Sequence, residues 1–250
     1  MVPENKKRLT ESFVMLEFIN VSYKTEDGVE IINDVSFTIK DRFVAVTGPN
    51  GSGKSTIAKL IAGIIKPTEG KILLDGKDIT AEDVTERARM GISFAFQQPV
   101  RFKGITVKDL ISLAAGKKLS GKEVCRYLSA VGLCAKDYID REANASLSGG
   151  ELKRIEIAMI MARNTKLSVF DEPEAGIDLW SFNNLISVFK EMHDSTKGSI
   201  VIISHQERIL DIADRIIVVA DGKIKTEGTG KEVLPELLSG SSCKFYSKKG

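Results

Sequence analysis

The chain has 250 residues, of which 42% are apolar and 28% are charged, as in an ordinary soluble globular protein with a sizeable core. Its 36 Lys and Arg nearly balance its 34 Asp and Glu, so bulk charge gives no reason to expect a nucleic-acid partner. No apolar run reaches the roughly 18 to 20 residues of a membrane span, and the amino terminus lacks a signal-peptide core. We therefore expect a cytoplasmic protein.

The cysteines indicate neither a disulfide framework nor a zinc site. Cys125, Cys134 and Cys243 are widely spaced and form no paired motif. Reduced thiols are the expected state, with Cys243 an exposed thiol near the end of the chain.

Apolar alternation, turn residues and helical spacing divide the first hundred residues into strands and one helix, so the chain opens with a small antiparallel sheet. The predicted elements are a polar arm at 1–12, strands at 14–21, 30–39 and 43–46, a helix at 55–65, a hairpin at 71–74 and 77–79, and a strand at 92–96.

The remainder predicts helices and buried strands in alternation, which indicates an α/β fold with a parallel sheet and helices on both faces. The predicted elements are helical segments within 99–145, a helix at 151–161, a strand at 167–170, a helix around 182–189, and strands at 200–203 and 216–219. We expect one domain over 1–250. It would consist of a core at 14–98 and 146–235 that includes the antiparallel β subdomain, a helical subdomain at 99–145, and a tail at 236–250.

One loop has the spacing of a phosphate-binding loop. It satisfies G-x-x-x-x-G-K-[ST] between a predicted strand and a predicted helix, where backbone N–H groups and the helix amino end attract phosphates. Lys54 would reach the β and γ phosphates of ATP, and Ser55 would ligate Mg²⁺. A chance match has a frequency on the order of one in a hundred for such a chain. The loop residues are Gly48, Pro49, Asn50, Gly51, Ser52, Gly53, Lys54, Ser55 and Thr56.

Two acids close a predicted buried strand. Asp171 and Glu172 follow the apolar run at 167–170, and the strand end would place Asp171 beside the phosphate loop, where it could hold Mg²⁺. Glu172, one residue further on, could deprotonate the attacking water. Alone, such a pair is more often a solvated turn; beside a phosphate loop it indicates ATP hydrolysis.

A second helix start also suits an anion. Ser148, Gly149 and Gly150 precede a predicted helix, and their amides form a second site of this kind. One nucleotide does not need two such sites in one subunit.

Together these motifs resemble the ATP-binding cassette (ABC) family over most of the chain. The resemblance implies that two cassettes pack head to tail, so that Ser148, Gly149 and Gly150 of one copy cover the γ phosphate held by the other. It identifies Gln97 with the family's magnesium and water contact, residues 175–178 with its D-loop, and His205 with its γ-phosphate contact. At the position where the family often has an adenine-stacking aromatic, this chain has Thr25. Tyr23 could take over the stacking, but it is at least as well explained as an outward-facing residue of a strand.

Within the family, two partners remain possible. Segments around 95–107, 148–157 and 205–210 resemble SufC-like assembly ATPases of the Suf system, which implies a soluble SufB- or SufD-like scaffold for iron–sulfur clusters docked on the helical lobe. The alternative is the nucleotide-binding subunit of an ABC transporter, where the lobe would receive a membrane subunit. We expect no nucleic-acid partner in either case.

Overall fold

Two sheets organise the computed structural model, which describes residues 14–144, 146–177, 179–195 and 198–240. The predicted arm, Cys243 and Asp178 lie outside these ranges. The strands are β1 (Leu16–Lys24), β2 (Glu30–Ile39), β3 (Phe43–Thr47), β4 (Glu69–Leu74), β5 (Lys77–Asp78), β6 (Ile92–Ala95), β7 (Leu167–Asp171), β8 (Ser199–Ile203), β9 (Arg215–Ala220) and β10 (Lys223–Gly228). The helices are α1 (Lys54–Ala62), α2 (Val84–Arg89), α3 (Val107–Ala114), α4 (Gly121–Ala130), α5 (Ala135–Tyr138), α6 (Gly149–Arg163), α7 (Leu179–Ser195), α8 (Glu207–Leu210) and α9 (Gly230–Gly240).

The first sheet is antiparallel and has the order β2-β1-β4-β5, which confirms the expected β subdomain. Its central strand β1 pairs with β2 on one side and with β4 on the other, so Leu16 lies opposite both Ile39 and Leu74. The tight turn at Asp75 and Gly76 has positive φ at both residues, as two-residue hairpins require. The chain thus leaves the first sheet after β2, passes through β3 and α1, and returns to the first sheet with the β4–β5 hairpin.

The second sheet has the order β10-β9-β3-β8-β7-β6 and is parallel from β9 to β6, as expected. In parallel strands the carboxyl ends meet at one edge, so the loops after β3, β6, β7 and β8 converge there. Strand β10 is an antiparallel edge strand that apolar patterning does not predict, because charged residues and threonine surround its one large apolar side chain, Ile224.

Helix α1 packs between the sheets. Ile57, Leu60 and Ile61 are fully buried and share one apolar core with side chains of β1, β2, β3 and β7. A second core covers the other face of the parallel sheet and extends into the helical lobe of α3, α4 and α5. Helix α6 belongs to that core through Leu152 and Ile155. The lobe therefore shares its interior with α6.

A fully buried guanidinium connects α1 to α2, a helix that apolar periodicity does not predict. Arg87 donates hydrogen bonds to the carbonyl oxygens of Leu60, Ile61 (3.0 Å) and Ile79 (2.8 Å). The last carbonyls of a helix lack partners within it, and a cation satisfies them. Burial lowers the pKa of Arg87 to about 10, so the group stays charged at neutral pH.

The carboxyl-terminal helix α9 continues to Gly240, so the first part of the expected tail is helical and the rest lies outside the described residues. Within the described helices, none has the length and apolar character needed to cross a bilayer.

Candidate ATPase site

The phosphate loop follows β3, whose five residues are all buried. Two of its glycines have no room for a side chain. Gly48 has φ +143°, and a Cβ on it would lie 1.9 Å from the carbonyl oxygen of Val219. Gly53 has φ +101°, and a Cβ on it would lie 2.5 Å from Ile32. Glycine here allows both the left-handed backbone and the close approach of neighbouring strands.

The amino end of α1 offers free N–H groups. Its N-cap Gly53 has no side chain to cap the helix, and within this described helix the first turn carries no acid. Such an end attracts phosphate. Lys54 lies beside it and donates to the carbonyl oxygens of Gly48 (2.9 Å) and Pro49 (2.8 Å). Burial lowers the pKa of Lys54, and the carboxylates of Glu172 and Asp171 oppose that shift. The loop thus holds a desolvated cation where a triphosphate would need it.

Ser55 and Asp171, which are expected to hold magnesium, meet where the start of α1 faces the end of β7. The hydroxyl of Ser55 donates to Oδ1 of Asp171 at 3.0 Å. Asp171 ends β7 and is buried, and burial raises its pKa, with the Ser55 hydrogen bond opposing that shift. A carboxylate and a hydroxyl are the hard oxygen donors that Mg²⁺ prefers, and a buried acid gains from a cation beside it. The donor set therefore fits the expected metal.

Glu172 lies one residue beyond the strand, in a left-handed conformation with φ +45°. Its N–H donates to the carbonyl of Ile203 at 3.0 Å, which fixes its backbone against β8. Its Oε2 accepts a hydrogen bond from Nε2 of Gln97 at 2.7 Å. A positive φ in a residue other than glycine is an uncommon conformation that often marks a functional position. Gln97 and Glu172 thus form one hydrogen-bonded pair at the sheet edge.

These groups surround a cleft of about 440 Å³. Its described lining comprises Ile31, Asn50, Gly51, Gly53, Lys54, Ser55, Thr56, Gln97, Glu172 and His205. Most of the phosphate-loop residues and the three catalytic candidates, Gln97, Glu172 and the exposed His205, therefore lie together. Gly48, Pro49 and Ser52 shape the loop from outside this lining. Ile31 was not expected here. Its signal was its place in the half-buried alternation of β2, which does not distinguish it from a packing residue.

The adenine position has no aromatic wall in this described lining. Thr25 instead closes a turn, exchanging hydrogen bonds with Val29, and Tyr23 packs against the apolar core that contains α1. Weak base stacking remains the prediction.

A third carboxylate, that of Glu174, which sequence reasoning did not place in the site, lies close to His205. Ser204, fully buried, donates its hydroxyl to Oε1 of Glu174. Burial raises the pKa of Glu174, with the Ser204 hydrogen bond opposing that shift. The loop after β7 is thereby joined to the loop that carries His205.

Ser148, Gly149 and Gly150 stand at the amino end of α6 and do not belong to the described lining of the cleft. Ser148 is exposed and forms a capping box with Glu151: its Oγ accepts from the Glu151 N–H at 3.2 Å, and its N–H donates to Glu151 Oε2 at 2.6 Å. A Cβ on Gly150 would lie 3.5 Å from the carbonyl oxygen of Gly176 in the expected D-loop. The helix end is therefore presented outward, away from the chain's own phosphate loop.

Comparison with known proteins gives consistent matches. The family model described as "ABC transporter" matches residues 32–175. An uncharacterised ABC transporter ATP-binding protein of Methanocaldococcus jannaschii is 40% identical over 88% of this chain and 90% of its own length. The energy-coupling factor transporter ATP-binding protein EcfA2 of Caldanaerobacter subterraneus is 35% identical over 87% of this chain and 80% of its own.

Among solved structures, a dimeric ATP-binding cassette in a post-hydrolysis state, bound to ADP and phosphate, aligns with a TM-score of 0.75. It is 26% identical, over 86% of this chain and 98% of its own. With these matches and the cleft described above, the chain belongs to the ATP-binding cassette family and is an ATP hydrolase.

Proposed function

We propose that this chain is the ATP-hydrolysing subunit of a membrane transporter. The observation that carries the proposal is its similarity, over nearly all of its length, to proteins named as transporter ATP-binding subunits, including those of energy-coupling factor transporters and a sulfate/thiosulfate importer. The Suf interpretation finds no support in these relatives. That interpretation rested on short sequence matches around 95–107, 148–157 and 205–210. They are weaker evidence than an alignment over most of the chain.

In the proposed mechanism, the phosphate loop and Lys54 hold the β and γ phosphates of ATP. Ser55 and Asp171 would hold Mg²⁺, with Gln97 within reach, and the ion would neutralise the charge that develops on the phosphates. Glu172 accepts the proton of the attacking water, and Gln97 orients that carboxylate through the 2.7 Å hydrogen bond. His205, which also lines the cleft, would donate to the γ phosphate.

A second copy of the chain would complete each site. The exposed amino end of α6 offers backbone N–H groups, yet it does not line its own cleft. The similar solved cassette is dimeric with ADP and phosphate bound, which supports a head-to-tail pair here. In that arrangement Ser148, Gly149 and Gly150 of one copy face the γ phosphate of the other.

The docking surface for a membrane subunit would be an apolar groove beside Gln97. The groove has a volume of about 180 Å³ and lies between the parallel sheet, α3 and α6. Phe96 and Val100 line it and expose 42% and 48% of their surfaces. Exposed apolar side chains gathered in a groove commonly mark an interaction site. Since Phe96 directly precedes Gln97, an occupant would touch the segment that leads into the ATPase site.

The proposal is tested by fractionation of native cells that express the tagged chain. We expect recovery in the membrane fraction with a multi-spanning subunit. Val100→Asp should move the chain to the high-speed supernatant with its basal ATPase rate unchanged, because an interface anchor commonly contributes about 2 kcal/mol or more to binding.

Leu113→Asp is the matched control. Leu113 lies on the same lobe and is 72% exposed, but the described lining of the groove does not include it. It should leave the chain at the membrane. If the unaltered chain is instead recovered in the supernatant with a soluble scaffold, the transporter proposal is wrong and the Suf interpretation takes its place.

A further inference from the structure

A buried ion pair inside α6 holds the residue that precedes Gln97. Lys153 is fully buried, and its ammonium lies 3.5 Å from Oε2 of Glu156, one helical turn along. The other oxygen of Glu156 accepts the N–H of Phe96 at 3.0 Å. The Lys153 ammonium donates to the carbonyl oxygen of the same residue. One ion pair thus satisfies both main-chain groups of Phe96.

The position of Phe96 explains why these two hydrogen bonds matter. Pairing of β6 with β7 ends at Ala95 and Phe170, so the sheet no longer supports the next residue. Main-chain groups that leave a sheet need other hydrogen-bond partners, and side chains of α6 supply them here. Gln97, the following residue, donates to Glu172 at 2.7 Å. A shift of Phe96 would therefore displace the amide that contacts Glu172.

A buried pair of this kind is poorly explained by stability alone. Burial lowers the pKa of Lys153 and raises that of Glu156, so the interior opposes both charges. Replacing such pairs by apolar residues is often neutral or stabilising in proteins. Charged hydrogen bonds, however, fix their partners strongly and in a defined direction.

We propose that Lys153 and Glu156 are positioning residues for ATP hydrolysis: from α6, their ion pair fixes the main chain of Phe96 and thereby the place where Gln97 meets Glu172. This role rests on the ATPase activity and is independent of which partner occupies the groove. It connects the helix that begins at Ser148 to the loop that carries Gln97.

The test compares Lys153→Met, Glu156→Leu and the double variant that carries both. For the single variants we expect kcat to fall about tenfold or more, with KM for magnesium-ATP changed less than about threefold, since the phosphate loop is untouched. In the double variant no unpaired charge remains, so thermal stability should return to the unaltered level. Its kcat should stay low, because apolar side chains cannot hold the Phe96 N–H and carbonyl.

A second measurement asks whether the pair acts through Gln97. Adding Lys153→Met to Gln97→Ala should cause no further loss of kcat, because both changes disturb the same contact. Lys117→Met serves as the control, since Lys117 forms an exposed ion pair with Glu123 at 3.6 Å on the same lobe, and it should leave kcat unchanged.

Two results would overturn the proposal. One is a double variant in which kcat recovers together with thermal stability, which would indicate a structural role only. The other is a loss from Lys153→Met that multiplies fully with the loss from Gln97→Ala, which would show that the pair acts elsewhere.

Discussion

Asp171 is an acid that folding alone disfavours. It is 3% exposed, and burial raises its pKa. A carboxyl whose pKa is higher in the folded than in the unfolded state destabilises the fold wherever both states are ionised. That penalty is present at neutral pH and disappears below the ordinary aspartate pKa of about 3.9. A bound cation would offset it, so this residue trades stability for function.

We therefore predict that Asp171→Asn stabilises the nucleotide-free protein at neutral pH by about 1 kcal/mol while it abolishes ATP hydrolysis. The amide can still accept the Ser55 hydrogen bond. Urea unfolding measures the gain, which should shrink as pH falls towards about 4. Asp27→Asn, at an exposed turn, is the control and should not reproduce this gain in stability. A variant that is less stable than the unaltered protein at neutral pH would contradict the assignment of a desolvated carboxylate.

Sequence reasoning predicted that Asp171 lies beside the phosphate loop, because this residue closes a buried strand. It did not predict that Lys153 and Glu156 form hydrogen bonds with the main chain of Phe96. Charged residues in the middle of a helix are ordinarily solvent-facing, and only the tertiary packing of α6 against the end of β6 buries them.

At the scale of elements, the close approach of the chain after β3 to strand β9 depends on a glycine, Gly48. A side chain on Gly48 would meet the carbonyl oxygen of Val219 at 1.9 Å, and neither backbone can withdraw without losing the parallel pairing. Gly28 also has a positive φ, +81° against +143° at Gly48, but nothing lies within 4 Å of a Cβ placed on it, so it shows the cost of a positive φ without a close contact.

We predict that Gly48→Ala lowers the free energy of unfolding by about 3 kcal/mol, from the conformational and the steric cost together. Gly28→Ala should cost about 1 kcal/mol. Denaturant unfolding of both variants measures the difference. Equal losses would show that the strands adjust to the added methyl group and that the close approach is not required.

Local elements were more predictable than their partners. The unit of β3, phosphate loop and α1 has apolar runs and spacing that occur within a short stretch of chain. The addition of β4 and β5 to the first sheet depends on long-range pairing that periodicity does not encode. Apolar periodicity did not predict helix α2, because its described buried side chain is a charged one, Arg87. Asp83 as the N-cap and Glu86 in the first turn are nevertheless a signal for the start of a helix.

At the scale of the whole molecule, the outward end of α6 leads us to expect an ATP-dependent dimer. Glu172→Gln should keep ATP binding and stop hydrolysis, because the amide preserves the shape and removes the base. The variant should then have the mass of two chains at saturating magnesium-ATP, measured by size exclusion with light scattering.

The helix end itself is tested in the same background. Ser148→Arg should return the mass to that of one chain, since it puts bulk where the partner's phosphate belongs. Ser129→Arg, on an exposed face of α4, should not. A Glu172→Gln chain that stays monomeric, or a dimer that survives Ser148→Arg, would argue against a shared site.

The order of the parallel sheet also determines when β3 can find its partner strands during synthesis on the ribosome. Strand β3 pairs with β8 and β9: Val44 lies opposite Val201 and Arg215, near the other end of the chain. At synthesis rates of about 5–20 residues per second, the wait for these partners is on the order of ten seconds. Throughout that time the strand leading to the ATP site is an apolar, unpaired segment of nascent chain, the kind of species that aggregates and that chaperones bind. The nucleotide pocket can thus form only after synthesis has passed β8 and β9.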